Sequence, residues 1–235
     1  MPDRVPLALL PGLLCDAALW HRQVAALADI ADPWVADFTT QDSIAAMADS
    51  VLAAMPQRFA LAGLSMGGYV ALEVMARAPE RVTRLALLDT RHRRDDEETT
   101  ARRRGLIELA EKGQFKGVTP RILPLFIHEA RLDDAELTGT VAAMAERVGK
   151  DAFVSQQRAI IGRRDHAATL VGIHVPTLVV CGRQDALTPL ADSQAMAAGI
   201  AGARLVVIED CGHLSSLERP EEVNAALRRW LIAED

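Results

Sequence analysis

The sequence predicts an α/β fold: a mostly parallel sheet of about six strands with helices on both faces, interrupted by one helical insertion. Three observations lead there. Short apolar runs alternate with runs at helical spacing, the pattern of repeated strand-helix-strand units joined by right-handed crossovers. The apolar runs are continuous instead of alternating with polar residues, as strands buried on both faces are. From Arg91 to about Ala168 the alternation stops and only charged, helix-favouring sequence is found, after which it resumes. The expected division is therefore a core of residues 1–90 and 169–235 and an insertion of residues 91–168.

Taken in order, Val5 to Leu10 is the first strand, ending in Pro11-Gly12, and a helix follows with Leu19, Trp20, Val24 and Leu27 on one face. Trp34 to Phe38 reads as a second strand. Ile44, Met47, Val51 and Met55 repeat at helical spacing behind Asp42 or Ser43 as the cap. Phe59 to Ala62 is the third strand, and Tyr69 to Ala78 is a helix that is apolar all round, stopped by Pro79. Val82 to Leu88 is the fourth strand. Within the insertion, Leu137, Val141, Met144 and Val148 mark one amphipathic helix and Leu106, Ile107, Leu109 and Ala110 another, with Pro120 and Pro124 between them. Thr177 to Val180 and Arg204 to Ile208 are the last strands, separated by a helix from about Leu190 to Ala198. A final helix opens at Pro220 with Glu221 and Glu222 at its positive end and buries Val223, Leu227, Trp230 and Leu231.

Composition narrows the class of function. With 235 residues, 50% hydrophobic and 25% charged, the chain suits one domain with a real core. A formal charge of -6 gives no basic footprint for nucleic acid or an anionic membrane. The apolar start, Val5 to Leu14, is broken by Pro6 and Pro11, is too short for a bilayer span and has no cleavage site after it, so a cytoplasmic protein is expected. Cys15, Cys181 and Cys211 lack disulfide or C-x-x-C patterning and read as small buried hydrophobes; the six histidines are unpaired, so no metal site is expected.

The chemistry centres on Gly63-Leu64-Ser65-Met66-Gly67-Gly68, set between a strand and a helix. A G-x-S-x-G match alone arises by chance in about one chain in a dozen of this length. In strand-turn-helix context it describes a sharp turn with Ser65 at its tip and glycines where a Cβ would not fit. A phosphate loop is excluded, because Tyr69-Val70 stand where Lys and Ser/Thr are needed, and a dinucleotide fingerprint lacks its G-x-G opening. A serine hydroxyl needs a base, and the base needs an acceptor. Two later strands end in loops carrying Asp185 and His213. In a parallel sheet those loops open on the same edge as Ser65. A lone Asp in a turn is usually a cap and a lone His usually incidental, so it is the joint placement that carries weight. Asp89, at the end of the fourth strand, is a rival acid on the same edge.

With Pro11-Gly12, the Gly-Leu-Ser-Met-Gly-Gly turn, Gly-Arg-Gln-Asp-x-x-x-Pro from Gly182 to Pro189, and Gly212-His213 followed by Glu218-x-Pro220, in that order, the chain resembles the α/β-hydrolase superfamily over nearly its full length. The resemblance implies Ser65 as nucleophile, His213 as general base and then acid, Asp185 as its orienter, and residues 91–168 as a helical lid. It also implies the backbone amides of Leu13 and Met66 as oxyanion donors. Family members commonly carry His-Gly where this chain has Pro11-Gly12, and few residues precede the first strand. Within the superfamily it resembles small bacterial carboxylesterases and enol-lactone hydrolases, and the turn around Ser65 also resembles that of cofactor-free haloperoxidase-type esterases.

The expected function is hydrolysis of a carboxylic ester, or of a lactone or thioester, through an acyl-enzyme with no cofactor. The partner is then a small-molecule ester, with the oligomeric state left open. Leu125, Phe126 and Ile127, beside Leu123 and bracketed by Pro120, Pro124 and His128, are expected to line the substrate pocket. The arginines Arg91 to Arg94 and Arg102 to Arg104 read as a solvated lid surface, given the acids Asp95 to Glu98 between them. The scaffold also hosts lyases, C-C bond hydrolases and non-catalytic receptors. One lyase branch carries a basic residue after the turn glycines, where this chain has Tyr69.

Overall fold

Among the described residues, six strands, all parallel to their neighbours, form one sheet in the order β2-β1-β3-β4-β5-β6. The computed structural model describes residues 4–233; residues 1–3 and 234–235, the outer ends of the expected core ranges, lie outside it. The strands are β1 (Val5–Leu10), β2 (Ala31–Val35), β3 (Phe59–Leu64), β4 (Val82–Leu88), β5 (Thr177–Gly182) and β6 (Arg204–Ile208).

Successive residues of the central strands feed opposite cores, as the two-residue period of a strand requires. Leu7, Leu9, Ala60, Ala62, Ala86, Leu88, Leu178 and Val180 face one core, while Ala8, Leu10, Leu61, Leu85, Leu87 and Val179 face the other. The first core is closed by α1 (His21–Leu27), α8 (Ser215–Glu218) and α9 (Pro220–Ile232), through Leu27, Leu217, Leu227 and Trp230. The second is closed by α2 (Ile44–Ala54), α3 (Met66–Arg77) and α7 (Leu190–Gly199), through Met47, Val51, Val70, Val74 and Met196. Ser43 caps α2, its hydroxyl accepting from the Ala46 N–H at 3.2 Å.

Two differences from the sequence reading have physical causes. The second strand is Ala31–Val35 and not Trp34 to Phe38. It is an edge strand, so it needs no continuous apolar run and tolerates Pro33, which conceals it. Phe38 is buried all the same, in the loop that follows. The helix expected around Leu19 opens instead as a 3₁₀ turn, Ala17–Trp20, capped by the Asp16 side chain, before α1 proper.

No strand occurs between Leu88 and Thr177. This segment holds α4 (Glu97–Leu109), α5 (Ala135–Ile161) and α6 (Ala167–Val171), joined by short turns including Leu123–Leu125 and Glu129–Arg131. Helix α5 buries Leu137, Val141, Met144 and Val148 and is broken at Gly149, whose φ of 76° and ψ of 177° leave helical space. Of the four residues expected on one face here, Ile107 and, just past the end of α4, Ala110 are buried, while Leu106 and Leu109 are 41% and 46% exposed, so half of the expected stripe packs inward. Within the segment, Asp95 accepts from Arg103 at 2.7 Å and from Arg163 at 2.8 and 3.0 Å. The Arg163 guanidinium lies over the Tyr69 ring at 4.3 Å.

Candidate active site

Ser65 stands at the C-terminal end of β3 with φ 55° and ψ -114°, outside the ordinary regions for a residue with a Cβ. Its backbone is over-determined. The Ser65 N–H donates to the Leu88 carbonyl at 3.0 Å, and the Ser65 carbonyl accepts from Gly68 N–H at 2.9 Å and from Thr90 Oγ1 at 2.7 Å. The turn closes only because its flanks lack side chains: a Cβ on Gly63 would lie 2.2 Å from the Gly67 carbonyl oxygen, and one on Gly67 would lie 2.1 Å from that of Leu10. Strain held in place by surrounding bonds is what positions the hydroxyl above the sheet edge.

The loop after β6 brings His213 to that hydroxyl, with Nε2 2.8 Å from Ser65 Oγ. The loop after β5 brings Asp185 to the other side of the ring, its carboxylate oxygens 2.9 and 3.0 Å from Nδ1. The sequence predicted no more than that the three loops share an edge; the contact depends on how the loops are held. Asp185 accepts from the Leu187 and Thr188 N–H groups, both at 2.8 Å, and from Thr188 Oγ1 at 2.5 Å. The His213 and Leu214 amides donate to the Phe126 carbonyl at 2.9 and 3.1 Å. Glu218 is buried and accepts from Gly212 at 2.9 Å, Leu214 at 3.3 Å and His128 at 2.7 Å, so it joins the histidine loop to residues 126–128.

The electrostatics follow from burial and pairing. Burial alone would lower the His213 pKa, but the charge of Asp185 and its hydrogen bond outweigh it, and the ring stands above its ordinary value. Burial likewise opposes ionisation of Asp185, while His213 and Thr188 hold its carboxyl below the usual range. Asp89, the rival acid, makes no contact with the ring. It is fully buried and accepts from Gly182 N–H at 2.9 Å and from Ser215 Oγ at 2.5 Å, linking the two loops from beneath. Burial and the neighbouring Asp185 charge push its carboxyl well above the usual range.

Asp89, Cys181 and Asp185 place ligand-type atoms within 4.8 Å of one another. Their donors are committed: Asp185 to His213 and Thr188, Asp89 to Gly182 and Ser215, while burial pushes the Cys181 thiol up to about 12. Burial does the same to Cys15, again to about 12, and raises Cys211 as well, so none of the three is a ready thiolate.

Among the described residues, neither the Leu13 nor the Met66 amide meets a protein acceptor. Met66 opens α3 beside Ser65, and Gly12 lies against it, an added Cβ there falling 3.4 Å from the Ser65 Cβ. Of the expected pocket residues, Ile127 is buried, Phe126 is half-buried, and Leu125 is 45% exposed because it lies in a one-turn 3₁₀ helix that covers only one side of its residues. Two residues that sequence reasoning passed over are Thr188, which braces Asp185, and Gln156, whose amide reaches the loop after β1. Thr188 was within reach, standing beside Pro189 in a quoted motif. A polar residue in a charged helical segment gives no such signal.

A parallel sheet, a strained serine at a strand-helix turn, and a histidine and aspartate from two later strand ends define the α/β-hydrolase class. Residues 7–226 match the Alpha/beta hydrolase family, and the chain belongs to it. A Rhizobium rhizogenes protein, provisionally named carbamate hydrolase RutD, is 30% identical across 99% of this chain and 94% of its own. A thermophilic esterase from Thermogutta terrifontis is 29% identical with a TM-score of 0.86, covering 97% of this chain and 89% of that one. The enol-lactonase from Burkholderia xenovorans LB400 is 25% identical with a TM-score of 0.89, covering 98% and 92%.

Proposed function

We propose that the protein is a serine hydrolase that cleaves a carboxylic ester through an acyl-enzyme, with Ser65, His213 and Asp185 as its triad. The observation that carries this reading is the unbroken line of hydrogen bonds from Asp185 through His213 to Ser65 Oγ, ending beside two unengaged amides. Ser65 Oγ attacks the substrate carbonyl carbon as His213 Nε2 takes its proton. The carbonyl oxygen becomes an oxyanion held by the Leu13 and Met66 N–H groups. His213 then passes the proton to the leaving alcohol, the C–O bond breaks, and water repeats the sequence to release the acid. Similarity to an esterase and an enol-lactonase supports an oxygen ester or lactone. The Rhizobium relative favours a second reading, carbamate cleavage, in which the same attack expels an amine or alcohol from a carbamoyl carbon.

A fluorophosphonate should add once per chain to Ser65, located by intact-protein mass spectrometry and peptide mapping. Purified protein should turn over members of a panel of p-nitrophenyl esters of graded chain length, lactones and carbamates. Ser65→Ala should lose both labelling and turnover. Labelling without turnover of any panel member would move the assignment to a lyase, a C-C bond hydrolase or a receptor. Neither labelling nor turnover by the wild type would overturn it.

A further inference from the structure

Gln156 lies in the part of α5 that follows the break at Gly149, is fully buried, and spends its amide on the backbone of two other loops. Its Oε1 accepts from the Leu14 N–H at 3.0 Å, and its Nε2 donates to the Phe38 carbonyl at 3.1 Å. Leu14 is the unusual partner. It sits in a turn closed by the Cys15 N–H on the Gly12 carbonyl at 3.2 Å, and its φ is 59°, a state that residues with a Cβ seldom adopt. Glycine or asparagine would take this position without strain; leucine needs something to hold it there. The N–H that Gln156 captures belongs to the residue after Leu13, the proposed oxyanion donor.

We propose that Gln156 is the positioning residue of the oxyanion hole, fixing the strained Leu14 so that the Leu13 amide faces the oxygen of the tetrahedral intermediate. The inference rests on the ester-hydrolase reading. A glutamine suits the task because one side chain offers an acceptor to Leu14 and a donor to Phe38, bracing the loops after β1 and β2 on a helix of the inserted segment. Gln156 hydrogen-bonds to Leu14 and Phe38 and not to Ser65 or His213, so it acts on transition-state binding and leaves the proton transfers in place.

The test uses the full-length protein and an ester that the wild type turns over; absence of any such ester is a failure of the functional reading and not of this inference. Gln156→Met keeps the volume and removes both hydrogen bonds. Its kcat should fall about 10- to 100-fold, less than or equal to loss of a whole oxyanion donor, with KM within about twofold. Inhibition by an alkyl boronic acid, whose adduct places an oxygen in the same hole, should weaken by a similar factor. The pH midpoint of kcat/KM should not move, because His213 and Asp185 are untouched. Gln156→Glu, which keeps an acceptor within reach of Leu14, should recover part of the loss. Should the methionine variant fail to fold, Gln156→Asn, one methylene too short to reach Leu14, carries the same expectations. Wild-type kcat in a folded methionine or asparagine variant would overturn the proposal. So would a loss confined to KM, or one accompanied by a displaced pH midpoint.

Discussion

At the residue scale, the environment of His213 decides which proton moves. Burial disfavours the charged ring, yet Asp185 beside Nδ1 raises its pKa above the ordinary 6.5. In the proposed mechanism the neutral ring is the active base, so kcat/KM should rise with pH through a midpoint above 6.5, read from a pH-rate profile. Asp185→Asn removes both the charge and the acceptor that fixes the tautomer. It should lower kcat by about four orders of magnitude while the protein stays folded. Asp89→Asn should be mild, because Asp89 lies beneath the loops and its carboxyl is already pushed towards the neutral form. The reverse ranking in folded variants would transfer the orienting role to Asp89.

At the element scale, the turn between β3 and α3 depends on β1, β3 and α3 approaching without side chains between them. Gly67 packs on the backbone of β1 as well as on its own turn, with no room for a methyl group. Gly67→Ala therefore cannot be absorbed by a rotamer change and must push α3 away from β1. Overpacking of this kind costs about 1 to 3 kcal/mol, and displacement of Ser65 should lower kcat further than the lost stability explains. Chemical denaturation and kinetics on the same sample would separate the two; a variant with unaltered stability and turnover would show that the helix shifts freely. The turn glycines were legible in the sequence because their spacing encodes a steric need. The edge strand β2 was not, since Pro33 and a half-exposed face remove both of the signals by which strands are read.

For the molecule as a whole, two seams join the helical segment to the rest of the chain, Glu218 with His128 and Gln156 with Leu14, and a cluster of Asp95 with Arg103 and Arg163 braces the segment internally. The last is ionic and buried, the Asp95 and Arg163 side chains being 3% and 2% exposed. Burial works against the Asp95 carboxylate, but the Arg163 and Arg103 hydrogen bonds and charges outweigh it and hold the pKa at about 2. The folded value lies below the ordinary 3.8, so this contribution is present in full above that pH and is lost as the pH falls towards 2. Asp95→Asn leaves Arg163 buried without its partner and should cost about 3 to 5 kcal/mol in urea unfolding at pH 7. The gap between variant and wild type should narrow below pH 4. A gap independent of pH would mean that packing, not charge, holds this cluster together. Among the described residues no helix is long and apolar enough to cross a membrane.

The sequence by itself determined the sheet class, five of the six strands and the loops that carry Ser65, Asp185 and His213, because continuous apolar runs, helical spacing and glycine turns are local consequences of burial and backbone sterics. Tertiary structure alone decided which acid meets the histidine, since Asp89 and Asp185 both end strands on the same edge and only the loop conformations bring one of them within 3.0 Å of the ring. It also decided that Gln156, more than a hundred residues from Leu14, completes the loop beside Ser65. Such a contact has no period and no spacing, because it is made by the closing of the fold and not by any stretch of chain.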